Sequence, residues 1–234
     1  MLKAYLPAPF KAVSTTVLAA TIAACGGTAK TSEQSISAEQ HIGKLKSSQV
    51  TKLKGNEVVL WNGDNVISGG KWVSVTNKDI DTASLEIDRS EGVSGNTSLR
   101  FQVSGSDWMG FGWNWLDLWG QLDGQDISKY KTLSFQVKLT GAKLPPANNI
   151  SVQLASGGQP GGRAIALPIA TLTTSDFTDG QWHKIEAPLA SFDGTNIPNM
   201  GPMDLKLARE FSIGVNSSDY VDFDIFIDDI KLLK

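Results

Sequence analysis

"TLSFQVKL", residues 132–139, decides the fold. Leu133, Phe135, Val137 and Leu139 alternate with Ser134, Gln136 and Lys138. That is the two-residue period of a strand with one buried face, not the 3.6-residue period of a helix. The same alternation recurs in "SLRFQV" (98–103), "NISVQLA" (149–155), "WHKIEAPL" (182–189), "FSIGVN" (211–216) and "DFDIFIDDIKL" (222–232). Gly, Pro, Asn and Asp clusters separate these runs, and "MDLKLAREF" (203–211) would supply one short helical turn at most. Many short strands punctuated by turn residues predict an all-β fold, an antiparallel β-sandwich.

Side-chain parity then assigns faces. In "GFGWNWLDLWG" (110–120), Phe111, Trp113 and Trp115 share one strand face, and Gly110, Gly112 and Asn114 share the other. Elsewhere Ile150, Val152 and Leu154 oppose Ser151 and Gln153, while Phe211, Ile213 and Val215 oppose Ser212, Gly214 and Asn216. The bulky face is read as the core, with a ligand platform as the alternative for Phe111, Trp113 and Trp115. Burying three large rings contributes several kcal/mol, at about 25 cal/mol per Å².

The small face is where a ligand is expected. Gly110 and Gly112 weaken a strand, so they make sense where another molecule approaches the backbone, or else at a bulge or tight sheet crossing. Asn114, Gln136, Gln153 and Asn216 are expected to surround that space with uncharged donors and acceptors. Trp72, Trp108 and Trp119 fall outside the regular alternation, at strand ends or loops. They are stacking candidates, or rings folded back onto the sandwich edge. Arg163, at the end of the glycine-rich "SGGQPGG" (156–162), is placed to reach a ligand from a loop. Amides beside aromatic faces suit a neutral sugar.

The N-terminus addresses location. Met1–Ala24 carries Lys3 and Lys11, no acidic residue, and the apolar run Val13–Ala24, the pattern of a secretory signal. It ends in "IAAC" (22–25), which resembles the lipobox of bacterial lipoproteins. That resemblance implies cleavage before Cys25 and its acylation, palmitate included, as a membrane anchor. Cys25 is the only cysteine, so an intramolecular disulfide is excluded. Gly26 stands where Asp would favour inner-membrane retention, so the outer membrane is expected, on its periplasmic or outward face. Residues 25–54 are polar and read as a flexible tether. The domain expected at 55–234 has 14 basic and 22 acidic residues, a net charge of −8. An acidic surface argues against nucleic acid and polyanionic glycans as partners.

Five stretches also resemble a family. "GVSGNTSLRFQV" (92–103), "DISKYKTLSFQVKL" (126–139), "DGQWHKIEAPLASF" (179–192), "REFSIGV" (209–215) and "FDIFIDDIKLL" (223–233) occur in the order seen in jelly-roll carbohydrate-binding modules with a galactose-binding-like fold. The similarity runs from Val58 to Leu233. It implies binding of a β-glucan-like polysaccharide, with glycan-degrading enzymes or an importer as partners. It also implies one structural calcium ion, held by Asp64 in "WNGD", Asn96 in "SGNTSL" and Asp228 in "FIDDI". In place of the family's acidic doublet after the first strand this chain has "NGD".

Two other functions compete. "EIDRSE" (86–91) fits the E-x-D-x-x-E pattern of laminarinase-type hydrolases, where Glu86 and Glu91 would act as nucleophile and acid/base about 5–5.5 Å apart. It also reads as strand, turn, strand. A second alternative is a structural lipoprotein whose sandwich contacts another envelope protein. His183 is the domain's one histidine, no G-x-S-x-G elbow accompanies it, and no zinc-ligand spacing occurs. The favoured expectation is a lipid-anchored, non-catalytic binder of a neutral polysaccharide.

Overall fold

A computed structural model describes residues 55–62, 71–77, 81–93, 95–114, 124–156, 163–194 and 202–234. The expected signal, Cys25, the tether, Asp64, Trp115 and Trp119 lie outside the described residues. The strands are β1 (Glu57–Trp61), β2 (Lys71–Val75), β3 (Thr82–Asp88), β4 (Ser98–Asn114), β5 (Thr132–Lys143), β6 (Ile150–Ser156), β7 (Arg163–Pro168), β8 (His183–Pro188) and β9 (Ala208–Leu233). Every strand pairing is antiparallel.

Two strands belong to both layers. Residues 107–114 of β4 pair with β2 and with residues 210–217 of β9, whose other edge pairs with β6 and then β7. This front layer runs β2-β4-β9-β6-β7. Residues 98–105 of β4 pair with β3 and with the second half of β9, which also pairs with β1 and with β5, and β5 in turn pairs with β8. This is the back layer.

The layers face each other because β4 doubles over. Ten residues of straight strand would separate Phe101 from Phe111 by about 33 Å. Their ring centroids are 4.6 Å apart. The ladder shifts register between Gly105 and Asp107, and Asp107 takes a positive φ of 64°. Such an irregularity bends a strand and re-aims it. The bend is held by Asp81, a buried carboxylate that accepts the backbone N–H groups of Ser106 (3.1 Å) and Asn77 (3.2 Å). A side chain at Gly105 would collide with that carboxylate. Phe135 of the back layer meets Phe211 of the front layer edge-on, at 5.6 Å.

The core follows the parity of the sequence. Phe111, Leu133, Phe135, Val137, Leu139, Ile150, Val152, Leu154, Phe211, Ile213 and Val215 have no exposed surface. Phe226 is an apolar side chain that points out of the back layer. It is buried there beneath Trp182, at 6.4 Å between centroids, and the cationic heads of Arg100 and Lys138, each 5.7 Å from its ring.

Candidate functional site

The outward face of the front layer is built from small residues and two indoles. Trp72 is in register with Gly112, and Ser74 with Gly110. On the other side of β4, Trp108 pairs with Asn216, Gly110 with Gly214, Gly112 with Ser212, and Asn114 with Glu210. β6 adds Ser151 beside Gly214 and Gln153 beside Ser212. Trp72 and Trp108 are therefore strand residues inside the alternation, not the strand-end or loop residues the sequence suggested.

The glycines serve a different approach from the one expected. A Cβ on Gly110 would sit 2.8 Å from the Trp108 ring, and one on Gly112 would sit 3.0 Å from the Trp72 ring. A Cβ on Gly214 would lie 3.3 Å from the Trp108 indole nitrogen and 2.5 Å from Nε2 of Gln153. What comes close to the bare backbone is the protein itself: the Trp108 indole at Gly110, Phe211, Ser212 and the Trp72 indole at Gly112, and Gln153 at Gly214. The glycines let both rings lie down on the sheet, where side chains would prop them up. The two rings end 6.2 Å apart with planes 20° from parallel, and both keep part of their surface in solvent. Paired indoles at this spacing can take the C–H faces of consecutive rings in a flat polymer.

A carboxyl group also belongs to this face. Glu210, buried in β9 opposite Asn114, has its pKa pushed up by burial, while nearby Arg209 and the Trp72 indole favour its charged form. The trough is thus not the wholly uncharged one expected. The parity of "REFSIGV" carried the signal: with Phe211, Ile213 and Val215 inside, Glu210 shares a face with Ser212 and Gly214.

The remaining candidates divide. Gln153 and the exposed Asn216 join the two indoles on the front face. Gln136 does not: it sits on β5 in register with Lys184 and Asp228, on the outward side of the back layer. The parity was right for Gln136, but parity within a strand does not say which layer the strand joins. Asn114 and Arg163 hold backbone positions opposite Glu210 and Ser156, and their side chains lie outside the described residues.

Of the calcium candidates, Asp228 is fully buried. Its oxygens accept the backbone N–H groups of Val93 (2.8 Å) and Asp229 (2.7 Å), fastening the 91–97 loop to β9. Asn96 is exposed on that same loop. Among the described residues, no group of three or more His, Cys, Asp or Glu is gathered as a metal site. A buried carboxylate and a loop amide have the oxygen chemistry of a calcium ligand set.

The acidic motif reads as strand and turn. Glu86 pairs with Arg100 at 3.2 Å, and Glu91 with Lys138 at 2.6 Å. Asp88 closes the turn through Oδ1, which accepts the Ser90 hydroxyl (2.6 Å) and the backbone N–H groups of Ser90 (2.7 Å) and Glu91 (3.1 Å). The Ser90 hydroxyl, above all, holds its carboxyl below the usual range. His183 pairs with Asp179 at 2.7 Å.

The family model described as carbohydrate binding domain 30 matches residues 54–234. The family 30 carbohydrate-binding module of a cellulosomal cellulase of Clostridium thermocellum aligns with a TM-score of 0.54 at 16% identity, covering 76% of this chain and 97% of that one. A second structure of a family 30 module aligns at 0.53 and 15% identity, over 76% of this chain and 98% of that one. Among curated proteins none matches. The family match spans nearly all of the described sandwich, so this chain belongs to the carbohydrate binding domain 30 family.

Proposed function

We propose that this protein is a non-catalytic lipoprotein that retains a neutral, β-glucan-like polysaccharide on the front layer of its sandwich. The observation that carries the reading is the pair of nearly parallel, partly exposed indoles of Trp72 and Trp108, laid on glycine backbone. Ser151, Gln153 and Asn216 stand beside them to bond sugar hydroxyls. The aromatic rings hold the apolar faces of the sugar, and the polar groups set its orientation. Cys25 carries the lipid anchor in this proposal, placing the trough at the outer membrane. Many weak sites on one membrane would then hold a polymer by avidity while separate enzymes or an importer act on it.

Gel-retention electrophoresis in soluble β-glucans tests the reading. Trp72→Ala and Trp108→Ala are each expected to weaken retention at least tenfold, about 1.4 kcal/mol, with an unchanged circular dichroism spectrum. Wild-type protein that no neutral glycan retains would leave the envelope-protein alternative. The hydrolase alternative has little support, because both motif glutamates are engaged by cations. No reducing sugar is expected from laminarin, and Glu86→Gln should leave retention unchanged.

A further inference from the structure

The second outward face of the sandwich carries its own depression. It measures about 240 Å³ and lies on the back layer, where β3, β4 and β9 run side by side. Thr82, Ser104 and Asp222 cross it in one register row, and Ser84, Gln102 and Asp224 in the next. At its rim Tyr220 is half exposed, and its hydroxyl shares a 2.5 Å hydrogen bond with Ser104.

One of its two carboxylates is held in an ion pair. Arg100 holds Asp224 through Nη2 at 2.7 Å and Nε at 3.2 Å. Asp222 is the cross-strand neighbour of Lys143, whose ammonium lies 5.8 Å from the centre of the Tyr220 ring. Carboxylates with basic neighbours are poor cation sites but remain good acceptors for hydroxyl groups. Three hydroxyls, one amide, two carboxylates, one of them held by Arg100, and a phenol ring at the rim make a surface for a polyol. The volume is below the ~300–1,000 Å³ of pockets that enclose a drug-sized ligand, so it fits a chain end or a ring or two.

We propose that this depression is a second saccharide site, facing away from Trp72 and Trp108, so that one domain engages two glycan segments. The proposal rests on the glycan-binding reading above and extends it to a surface without tryptophan in the groove itself. Tyr220 supplies the ring face, and Asp222, Gln102 and Ser104 the hydroxyl partners.

Nuclear magnetic resonance mapping of the full chain, titrated with cellotetraose and laminaritetraose, separates the two readings. Two independent sets of amide shifts are expected, one around residues 72, 108–112 and 212–216, the other around 82–84, 102–104 and 220–224. Trp108→Ala should remove the first set and leave the second. Tyr220→Ala or Asp222→Asn should weaken the second at least fivefold and leave the first, so the map of wild-type protein reads the site even where one variant folds poorly. Shifts confined to the first set would overturn the second site alone. A second set indifferent to both Tyr220→Ala and Asp222→Asn would overturn it as well. No shift anywhere, with either sugar, would overturn both sites.

Discussion

Trp108 lies so close over Gly110 that a methyl group on that glycine would fall 2.8 Å from the indole. The carbonyl oxygen of Ile213 would be 3.0 Å away on the other side, so the methyl has nowhere to move. Gly110→Ala should therefore lift the ring without removing it. We expect glycan retention to fall nearly as far as in Trp108→Ala, with a stability loss of about 1–3 kcal/mol from overpacking. Parallel retention gels and urea melts check this; full retention would mean that the ring's height above the sheet is unimportant.

Glu210 makes stability fall with rising pH. Burial raises its folded pKa above the 4.5 of a free glutamate. Between the unfolded and folded values the native state binds more protons than the unfolded one, so the group's contribution is complete below about 4.5 and is lost as pH climbs through the folded pKa. Glu210→Gln should match wild type in acid, gain on it from about 4.5 up to the folded pKa, and hold that lead above it. Thermal melts of both proteins from pH 4 to 8, on the order of one melt per pH unit, would show the two curves diverging; parallel curves would count against the assignment.

Asp228 fastens the 91–97 loop from inside the fold. Hydrogen bonds to a charged group contribute about 1.5–3 kcal/mol each, so Asp228→Ala should cost at least that and raise hydrogen exchange at Val93. Calcium is proposed to add to this anchor. Millimolar calcium should raise the melting temperature of the wild-type chain and not that of Asp228→Asn, and a chelator should reverse the gain. Equal melting with calcium and with chelator would remove the ion from the proposal.

Membrane attachment is proposed to depend on one sulfur atom. Cys25→Ser should move the protein from the membrane to the soluble fraction and abolish incorporation of labelled palmitate, with glycan retention untouched. A variant that stays with the membrane would break the lipoprotein reading.

Much of the fold was legible because the chain writes its faces in two-residue alternation. The apolar residues of "TLSFQVKL" and "FSIGVN" became fully buried rows at the expected positions. The doubling of β4 was not legible. Gly105 and Asp107 look like ordinary strand punctuation, and only the folded chain shows Asp81, distant in sequence, closing the bend. The same gap misplaced Gln136, whose strand alternates like β6 but joins the other layer. On the front face, the residue types were legible and their division of labour was not. A glycine beside a tryptophan's row says that something comes close; it does not say whether that is a sugar or the tryptophan itself.

β9 follows every strand it pairs with, and those partners span β1 to β6. Neither layer has a middle until that last element has been synthesised, so the hydrogen-bonded framework cannot close piecemeal from the N-terminal side. Such a distant set of pairings makes folding slow and concerted. The nascent chain should stay protease-sensitive along its whole length, then gain protection in both layers at once when β9 arrives.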